Sequence, residues 1–401
     1  MAFLQGSALE LFRFLIIIEI IFALAVFLLN YTSIVKFMTT PIPYLDILVP
    51  YALRRVPEDE FACLLPGPIT PKAGDIALAR LEKIGKNARL ELVNGRLATL
   101  HEGGLLAVVF GNRYATEQFE GYASIDGDSC DLLSMGGLCG LVKSKHASVA
   151  EPTKIRVLGA IGDADARPLC LKNYALAPAL TSSMPRIVVV CGSSMDAGKT
   201  YTAMSVVRGL RKHGHRVAAI KLTGTATGRD TWSFADAGAC PALDFIDGGF
   251  PSTYLASLDD LHKLYRLLVS HCAAAGAEFI VVEIADGLFQ SETAALLQSP
   301  VFVESVSSWL FATSVPLAAE AGVRILRNWG ITPVAISGVI SKSPLASREA
   351  ITATGLRCLT AQEIKAGCLN ECLHYHEPEV PGVNGHAVTL QREVSRHCVS
   401  C

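Results

Sequence analysis

The sequence predicts an α/β protein. A parallel sheet covered by helices on both faces, a three-layer arrangement, follows a small mainly-β domain and an apolar N-terminal helix. Three observations carry this. From residue 185 onward, short apolar β-branched runs alternate with segments of helical period. Residues 74–180 instead hold short β-like runs separated by Gly, Asp and Asn, with no long helical period. Residues 14–29 read FLIIIEIIFALAVFLL, apolar except for Glu19.

The N-terminal run comes first. A spanning helix needs about 20 mostly apolar residues. This run is slightly short, and extending it back to Leu11 adds Arg13 to the costly Glu19. Residues 1–38 read as an apolar helix, with residues 11–29 as a single membrane anchor. An extension upstream of a start at Met38 and a signal peptide are the alternatives. Arg13 before the run and Lys36 after it give almost no orientation signal. Residues 39–73 carry Pro41, Pro43, Pro50, Pro57, Pro66, Pro68 and Pro71 and read as a proline-rich linker.

Residues 74–180 form the mainly-β domain. The runs ARLELV, LLAVVFG, GLCGLV and KIRVLGAIG predict strands of a compact barrel or sandwich. The segment GNRYATEQFEGYA reads as a surface turn and strand, with a ligand role as the lesser alternative. No catalytic constellation stands out in this domain.

Residues 185–364 alternate strand and helix. Strands are expected at 187–191, 216–222, 278–284, 309–313 and 333–340, and helices at 198–213, 258–275 and 316–328. Ligands of such sheets bind beyond the carboxyl ends of the strands. The first strand runs into Gly192, Ser193, Ser194, Met195, Asp196, Ala197, Gly198, Lys199, Thr200 and Tyr201. A strand, a loop of small residues and a helix opening on Lys-Thr make a phosphate cradle of backbone N–H groups. Lys199 is placed for the β- and γ-phosphates, and the Thr200 hydroxyl for Mg²⁺. Five residues separate the two glycines, where the commonest form of this loop has four.

The second strand closes on Lys221, before the hydroxyl- and glycine-rich TGTATG. That lysine is expected at phosphate or substrate, with a snorkelling edge residue as the alternative. The third strand, FIVVEIADGL, carries Glu283 inside an apolar run. A buried carboxylate needs a cation or donor. Mg²⁺ is the economical choice, with Thr200 and an aspartate completing the set. Asp230 is preferred over Asp236, and Asp286 is a further candidate. Lys199, Lys221 and Glu283 are the expected catalytic residues. The last strand, VAISGVISKSP, ends in Ser341-Lys342-Ser343. No Asn-Lys-x-Asp is present, so ATP is favoured over GTP.

This ordered set resembles the dethiobiotin synthetase-like branch of the P-loop nucleoside triphosphatases. The resemblance rests on the long loop 192–200, on Lys221, on Val-Glu then Asp-Gly-Leu at 282–288, and on VAISGVIS; it covers residues 185–364. It implies phosphate and substrate contacts for Lys199 and Lys221, and Mg²⁺ binding by Thr200, Glu283 and an aspartate. It also implies use of ATP to activate a carboxylate-like group for amide or ring formation. This chain departs from the family in three places. Only Ile284-Ala285-Asp286-Gly287 follows the third-strand glutamate, where the family is richer in glycine. Ser341 stands where the family has an adenine-contacting asparagine. The β domain and the apolar N-terminus have no counterpart in the short family enzyme. A lysine early in the loop, as in the MinD-like partitioning ATPases, is missing.

Two further segments are open. Residues 243–254, LDFIDGGFPSTY, read equally as a substrate loop or a tight connector. The tail, residues 365–401, holds Cys368, Cys372, His374, His376, His397, Cys398 and Cys401. These could bind zinc, but the irregular spacing and terminal position favour a tail with incidental cysteines. A net charge of −2 gives no broad basic surface and argues against nucleic acid. The twelve scattered cysteines read mostly as reduced thiols, in keeping with a nucleotide domain facing the cytoplasm.

The leading reading is an ATP- and Mg²⁺-dependent ligase or kinase-like transferase acting on a small carboxylate- or phosphate-bearing metabolite. The alternative is a nucleotide-switched regulatory or assembly ATPase at the membrane, working as a homodimer with the β domain as its partner module. A pocket between Lys221, Glu283 and residues 250–254 would mark the enzyme. An exposed phosphate face would mark the switch.

Overall fold

The computed structural model describes residues 40–369, except 43–46, 66 and 182–183. The apolar N-terminal helix and all of the Cys/His tail beyond Leu369 lie outside the described residues. Among the described residues, no helix is long and apolar enough to cross a membrane.

The N-terminal strands are β1 (Thr40–Pro41), β2 (Ile47–Leu48), β3 (Cys63–Leu65), β4 (Ile76–Lys83), β5 (Arg89–Glu91), β6 (Leu97–Thr99), β7 (Leu105–Phe110), β8 (Arg113–Tyr114), β9 (Phe119–Tyr122), β10 (Ser129–Leu132), β11 (Leu138–Lys145) and β12 (Thr153–Gly162). β12, β4, β7, β11 and β10 pair in that order, and β10 pairs back onto β12. The ring therefore closes as a barrel rather than two facing sheets. The period of two sorts each strand's side chains. Ala77, Ala79 and Leu81 of β4 and Leu106, Val108 and Phe110 of β7 fill the barrel. Ile76, Leu78, Ala107 and Val109, one step out of phase, face the second half of the molecule and join its core.

That half is a six-stranded sheet in the order β15-β14-β16-β13-β17-β18, parallel throughout. Its strands are β13 (Arg186–Gly192), β14 (Val217–Lys221), β15 (Ala242–Asp244), β16 (Phe279–Glu283), β17 (Ser308–Ala312) and β18 (Ala335–Ser337). The helices are α1 (Lys199–Lys212), α2 (Arg229–Ala237), α3 (Leu258–Ala274), α4 (Ser291–Leu297), α5 (Pro300–Val303), α6 (Pro316–Asn328), α7 (Pro344–Thr354) and α8 (Ala361–Ala366). One face of the sheet packs on α1, α2 and α8 through Val206, Leu210, Phe234 and Ile364. The other packs on α3, α4 and α6 through Leu264, Leu296 and Val323, in a core that runs without a break into the outer face of the barrel.

Several elements differ from the sequence expectation, among them α2, α4, α5, α7 and α8, which no expected segment covers. β15 is an extra edge strand at the start of the segment read as a loop or connector. The last strand is short because Gly338, at φ 98°, turns the chain into a 3₁₀ turn, Val339–Lys342. A Cβ at Gly338 would lie 2.2 Å from the Ala197 carbonyl oxygen, so only glycine lets this turn abut the loop after β13. The proline-rich stretch is also more than a spacer. Tyr51, Ala52 and Leu53 form a buried 3₁₀ turn inside the shared core.

Candidate functional site

Strand register assembles the charges. Lys221 of β14 stands opposite Glu283 of β16, and Glu283 stands opposite Val190, two residues before the loop. Lys221 Nζ lies 2.5 Å from Glu283 Oε1 and 2.9 Å from Asp230 Oδ2. The Thr200 hydroxyl sits 3.0 Å from Glu283 Oε1 and 3.1 Å from Asp230 Oδ1. Lys199 Nζ donates to the Ser194 carbonyl at 2.6 Å, curled over the loop. Gly198, at φ 95°, provides the left-handed step that brings α1 in immediately after the loop.

All three expected catalytic residues are buried, Glu283 to 1% exposure. Burial pushes the Lys199 ammonium below the usual lysine range, and Lys221 adds to this while Glu283 opposes it. Burial would also lower Lys221, but Asp230 and Glu283 more than offset it and hold the ammonium above that range. Asp230, which burial would raise, is held below the usual carboxylate range by Lys221 and Thr200. Glu283 is raised, burial outweighing Lys221. Its Oε2 is buried and has no hydrogen-bond partner.

A divalent cation can be tested against these groups. Among the described residues, no three His, Cys, Asp or Glu side chains gather as a metal cluster. The set is instead two carboxylates and a hydroxyl, with one orphaned carboxylate oxygen. Those hard oxygen donors suit Mg²⁺ that keeps waters and takes its remaining ligands from phosphate. The residues fit the ion.

The site opens into a cavity of about 480 Å³. One wall is the loop, with Met195, Asp196, Gly198, Lys199, Thr200 and Tyr201. Gly192 and Ser193 sit behind it at the end of β13, where the Ser193 N–H donates to the Ala312 carbonyl. The opposite wall comes from the barrel and includes Asn87, Arg113, Gln118 and Ser134. Asp286 also lines the cavity, its carboxyl raised by burial and lowered in part by Lys199, Lys221 and Arg113. Asp236 lies exposed on α2, away from these groups.

The barrel wall is what the sequence reading missed. Arg113 falls in the segment read chiefly as a surface turn and strand, yet it is 8% exposed. Its guanidinium donates to the Leu133 carbonyl and, at 2.9 Å, to Gln118 Oε1. Nothing local in GNRYATEQFEGYA marks that arginine as buried; the barrel's closure does. Glu91 of β5 reaches across to the start of α2. It accepts from Gly228 N–H at 2.8 Å, Thr227 Oγ1 at 3.1 Å and Trp232 Nε1 at 3.2 Å. α2 carries Asp230 in its first turn.

Residues 243–254 do not line the cavity. Asp244 and Asp247 form a capping box and take Arg54 at 2.8 and 2.6 Å. Tyr51 donates to Asp244 at 2.8 Å. Thr253 accepts from the Gly224 N–H at 2.9 Å and braces the Thr/Gly loop from behind. The segment is therefore a clasp between the two halves. The expected pocket exists, but its second wall is the barrel rather than residues 250–254.

No family model matches the chain, and no curated protein matches it in sequence. Among solved structures it is similar to the 54 kDa protein of the signal recognition particle from Aeropyrum pernix K1, in complex with GDP. That likeness is 18% identical with a TM-score of 0.33, over 48% of this chain and 49% of the other. It is also similar to a DUF1611 family protein from Anabaena variabilis, 15% identical with a TM-score of 0.33, over 48% of this chain and 58% of the other. The chain thus spans about half the length of each. At that score neither likeness carries an argument about this chain.

Proposed function

We propose that this chain is a P-loop enzyme that binds ATP with Mg²⁺ in the loop Gly192–Thr200 and transfers or activates through the terminal phosphoryl group, as a ligase or kinase-like transferase. The acceptor is a small acid-bearing metabolite. The observation that carries the reading is convergence. The loop, Lys199 and Thr200 meet Lys221 and Glu283, from two other strand ends, and Asp230, from the first turn of α2, at the floor of one cavity.

The loop N–H groups and the start of α1 would hold the phosphates, and Lys199 would leave the Ser194 carbonyl for a phosphate oxygen. Thr200, Asp230 and Glu283 would hold Mg²⁺, which when bound neutralises phosphate charge. Lys221, kept protonated by its two carboxylates, is a second fixed cation at the place where charge moves. An acceptor oxygen attacks the γ-phosphorus, the bond to the β-phosphate oxygen breaks, and its electron pair leaves with the diphosphate. ATP is preferred to GTP because no Asn-Lys-x-Asp follows the last strand, where Ser341 turns back to the Gly338 carbonyl at 2.8 Å. The barrel wall over the loop favours this reading over a nucleotide switch, which needs an exposed phosphate face.

The test is equilibrium binding of fluorescent ATP and GTP analogues with Mg²⁺ to the purified protein and to Lys199→Ala. The wild type should bind ATP most tightly. Losing a charge-assisted contact worth about 1.5–3 kcal/mol should weaken binding by roughly one to two orders of magnitude in the variant. Equal, poor binding by both proteins sinks the proposal.

A further inference from the structure

The phosphoryl-transfer reading leaves the acceptor without a binding group, and the barrel wall supplies one. Resting on that reading, we infer that Arg113 is the anchor for a carboxylate of the acceptor substrate, held in a subsite that the barrel, not the parallel sheet, contributes to the cavity.

Arg113 differs from the other two buried cations of the cavity in how it is partnered. Lys221 is committed to Asp230 and Glu283. Lys199 sits at the loop, on the Ser194 carbonyl. Arg113 spends its hydrogen bonds on neutral groups, the Leu133 carbonyl and the Gln118 amide oxygen. Its Nε is buried and has no partner. Among the described residues no salt bridge reaches it; the carboxylate whose field it feels is Asp286, across the cavity. Burial, opposed in part by Asp286, pulls its pKa down to about 10, which leaves it charged at neutral pH. A buried cation held only by neutral groups is costly, and an anion in the cavity offsets that cost. A planar guanidinium fork is the group best shaped to take a carboxylate.

The surroundings suit a small organic acid better than a polyphosphate. Around Arg113 the wall is made of amides, hydroxyls and apolar groups: Asn87, Tyr114, Ala115, Gln118, Ser134 and Met135. The wall is built. Asn87 donates an amide N–H to the Leu132 carbonyl at 2.7 Å, and Arg113 donates to the next carbonyl along, so the end of β10 orients both. Tyr114 leans on Tyr254, ring centroids 5.4 Å apart. Charge decides the class of anion. The cavity lining holds four basic side chains (Arg113, Lys199, Lys221, Arg229) and four acidic ones (Asp196, Asp230, Glu283, Asp286). A Mg²⁺-triphosphate adds further negative charge. A monoanionic carboxylate adds the least more, whereas a second phosphate dianion would meet Asp286 and the nucleotide together.

The experiment uses the full chain with Mg²⁺ and a non-hydrolysable ATP analogue, and titrates butyrate, neutral butyramide and inorganic phosphate by saturation-transfer NMR. Butyrate should saturate in the millimolar range, with butyramide and phosphate weaker by about tenfold or more, because only the carboxylate completes the guanidinium fork. Arg113→Met should weaken butyrate by about tenfold or more while analogue affinity stays within about threefold. Gln118→Glu keeps shape and fold and places a competing carboxylate on the guanidinium; it should weaken butyrate in the same direction. Butyrate binding equally to wild type, Arg113→Met and Gln118→Glu overturns the assignment. So does phosphate displacing butyrate, or loss of the analogue with butyrate unchanged, which would give Arg113 to the nucleotide. No butyrate binding to wild type that has bound the analogue overturns it as well. If the analogue fails to bind wild type while butyrate still depends on Arg113, the nucleotide reading falls and the subsite stands.

Discussion

The two walls of the cavity are built on opposite plans. The sheet wall is a closed ionic network: Lys221 serves Glu283 and Asp230, and Thr200 joins both carboxylates. The barrel wall is a single cation held by neutral groups, with Asp286 facing it from the far side. The first is prepared for a ligand that brings its own counter-ions, and the second for a ligand that brings one negative charge. The difference shows that the same buried charge can be a structural partner or an open valence, depending on who pairs it.

The comparison breaks most severely at Glu283. Glu283→Ala leaves Lys221 with one partner instead of two, in a buried place. Removing one member of a buried ion pair costs roughly 3–5 kcal/mol. Urea denaturation should register that loss, and Arg113→Met, whose partners are neutral, should lose less. A smaller loss for Glu283→Ala than for Arg113→Met would mean that the ionic network is not what holds the sheet wall.

The two walls also differ in how far the sequence revealed them. The loop, Lys221 and Glu283 were legible because each closes an apolar strand, and parallel strands end on one side of the sheet. Local pattern plus one topological rule therefore placed them together. Asp230 lies beside Lys221 because α2 starts at Arg229, a helix start that the local sequence does not mark. Asn87, the neighbouring pair Arg113 and Gln118, and Ser134 come from three places in the barrel, and nothing periodic ties them. Their meeting depends on β10 pairing back onto β12, a long-range closure that no local motif encodes. The clasp of Tyr51, Arg54, Asp244 and Asp247 was missed for the same reason. Its acidic half resembled a ligand loop, and its basic half lay in a proline-rich stretch that looked like a spacer.

Glu91 sharpens the comparison, because it is a barrel residue acting on the sheet wall. It takes three donors at the start of α2. Glu91→Ala leaves those donors unmet, about 1–3 kcal/mol of lost stability. Because Asp230 lies in the first turn of that helix, Mg²⁺-dependent nucleotide affinity should fall as well, read by titrating Mg²⁺ at fixed analogue. Glu91→Gln keeps one acceptor oxygen and should recover part of both effects. Unchanged Mg²⁺ dependence in Glu91→Ala would separate the two walls functionally.

The smallest effect concerns Asp286, a carboxylate that interacts with cations of both walls. Burial raises its pKa, with Lys199, Lys221 and Arg113 offsetting part of the rise. A carboxyl raised in the folded state holds its proton more tightly there than in the unfolded chain. Folding is therefore favoured while the group is protonated, below its ordinary value near about pH 4, and stability is lost as pH rises from there through the folded value. Asp286→Asn cannot ionise and escapes that loss. Its urea midpoint should match wild type at about pH 3 and exceed it at about pH 7. Glu283 is raised too, but it is common to both proteins and cancels in the difference. The same change removes the charge facing Arg113, so butyrate should bind Asp286→Asn more tightly than wild type. A midpoint gap that is flat with pH would trace the effect to packing rather than charge. A butyrate affinity that fell instead would mean that Asp286 positions Arg113 rather than competing for it.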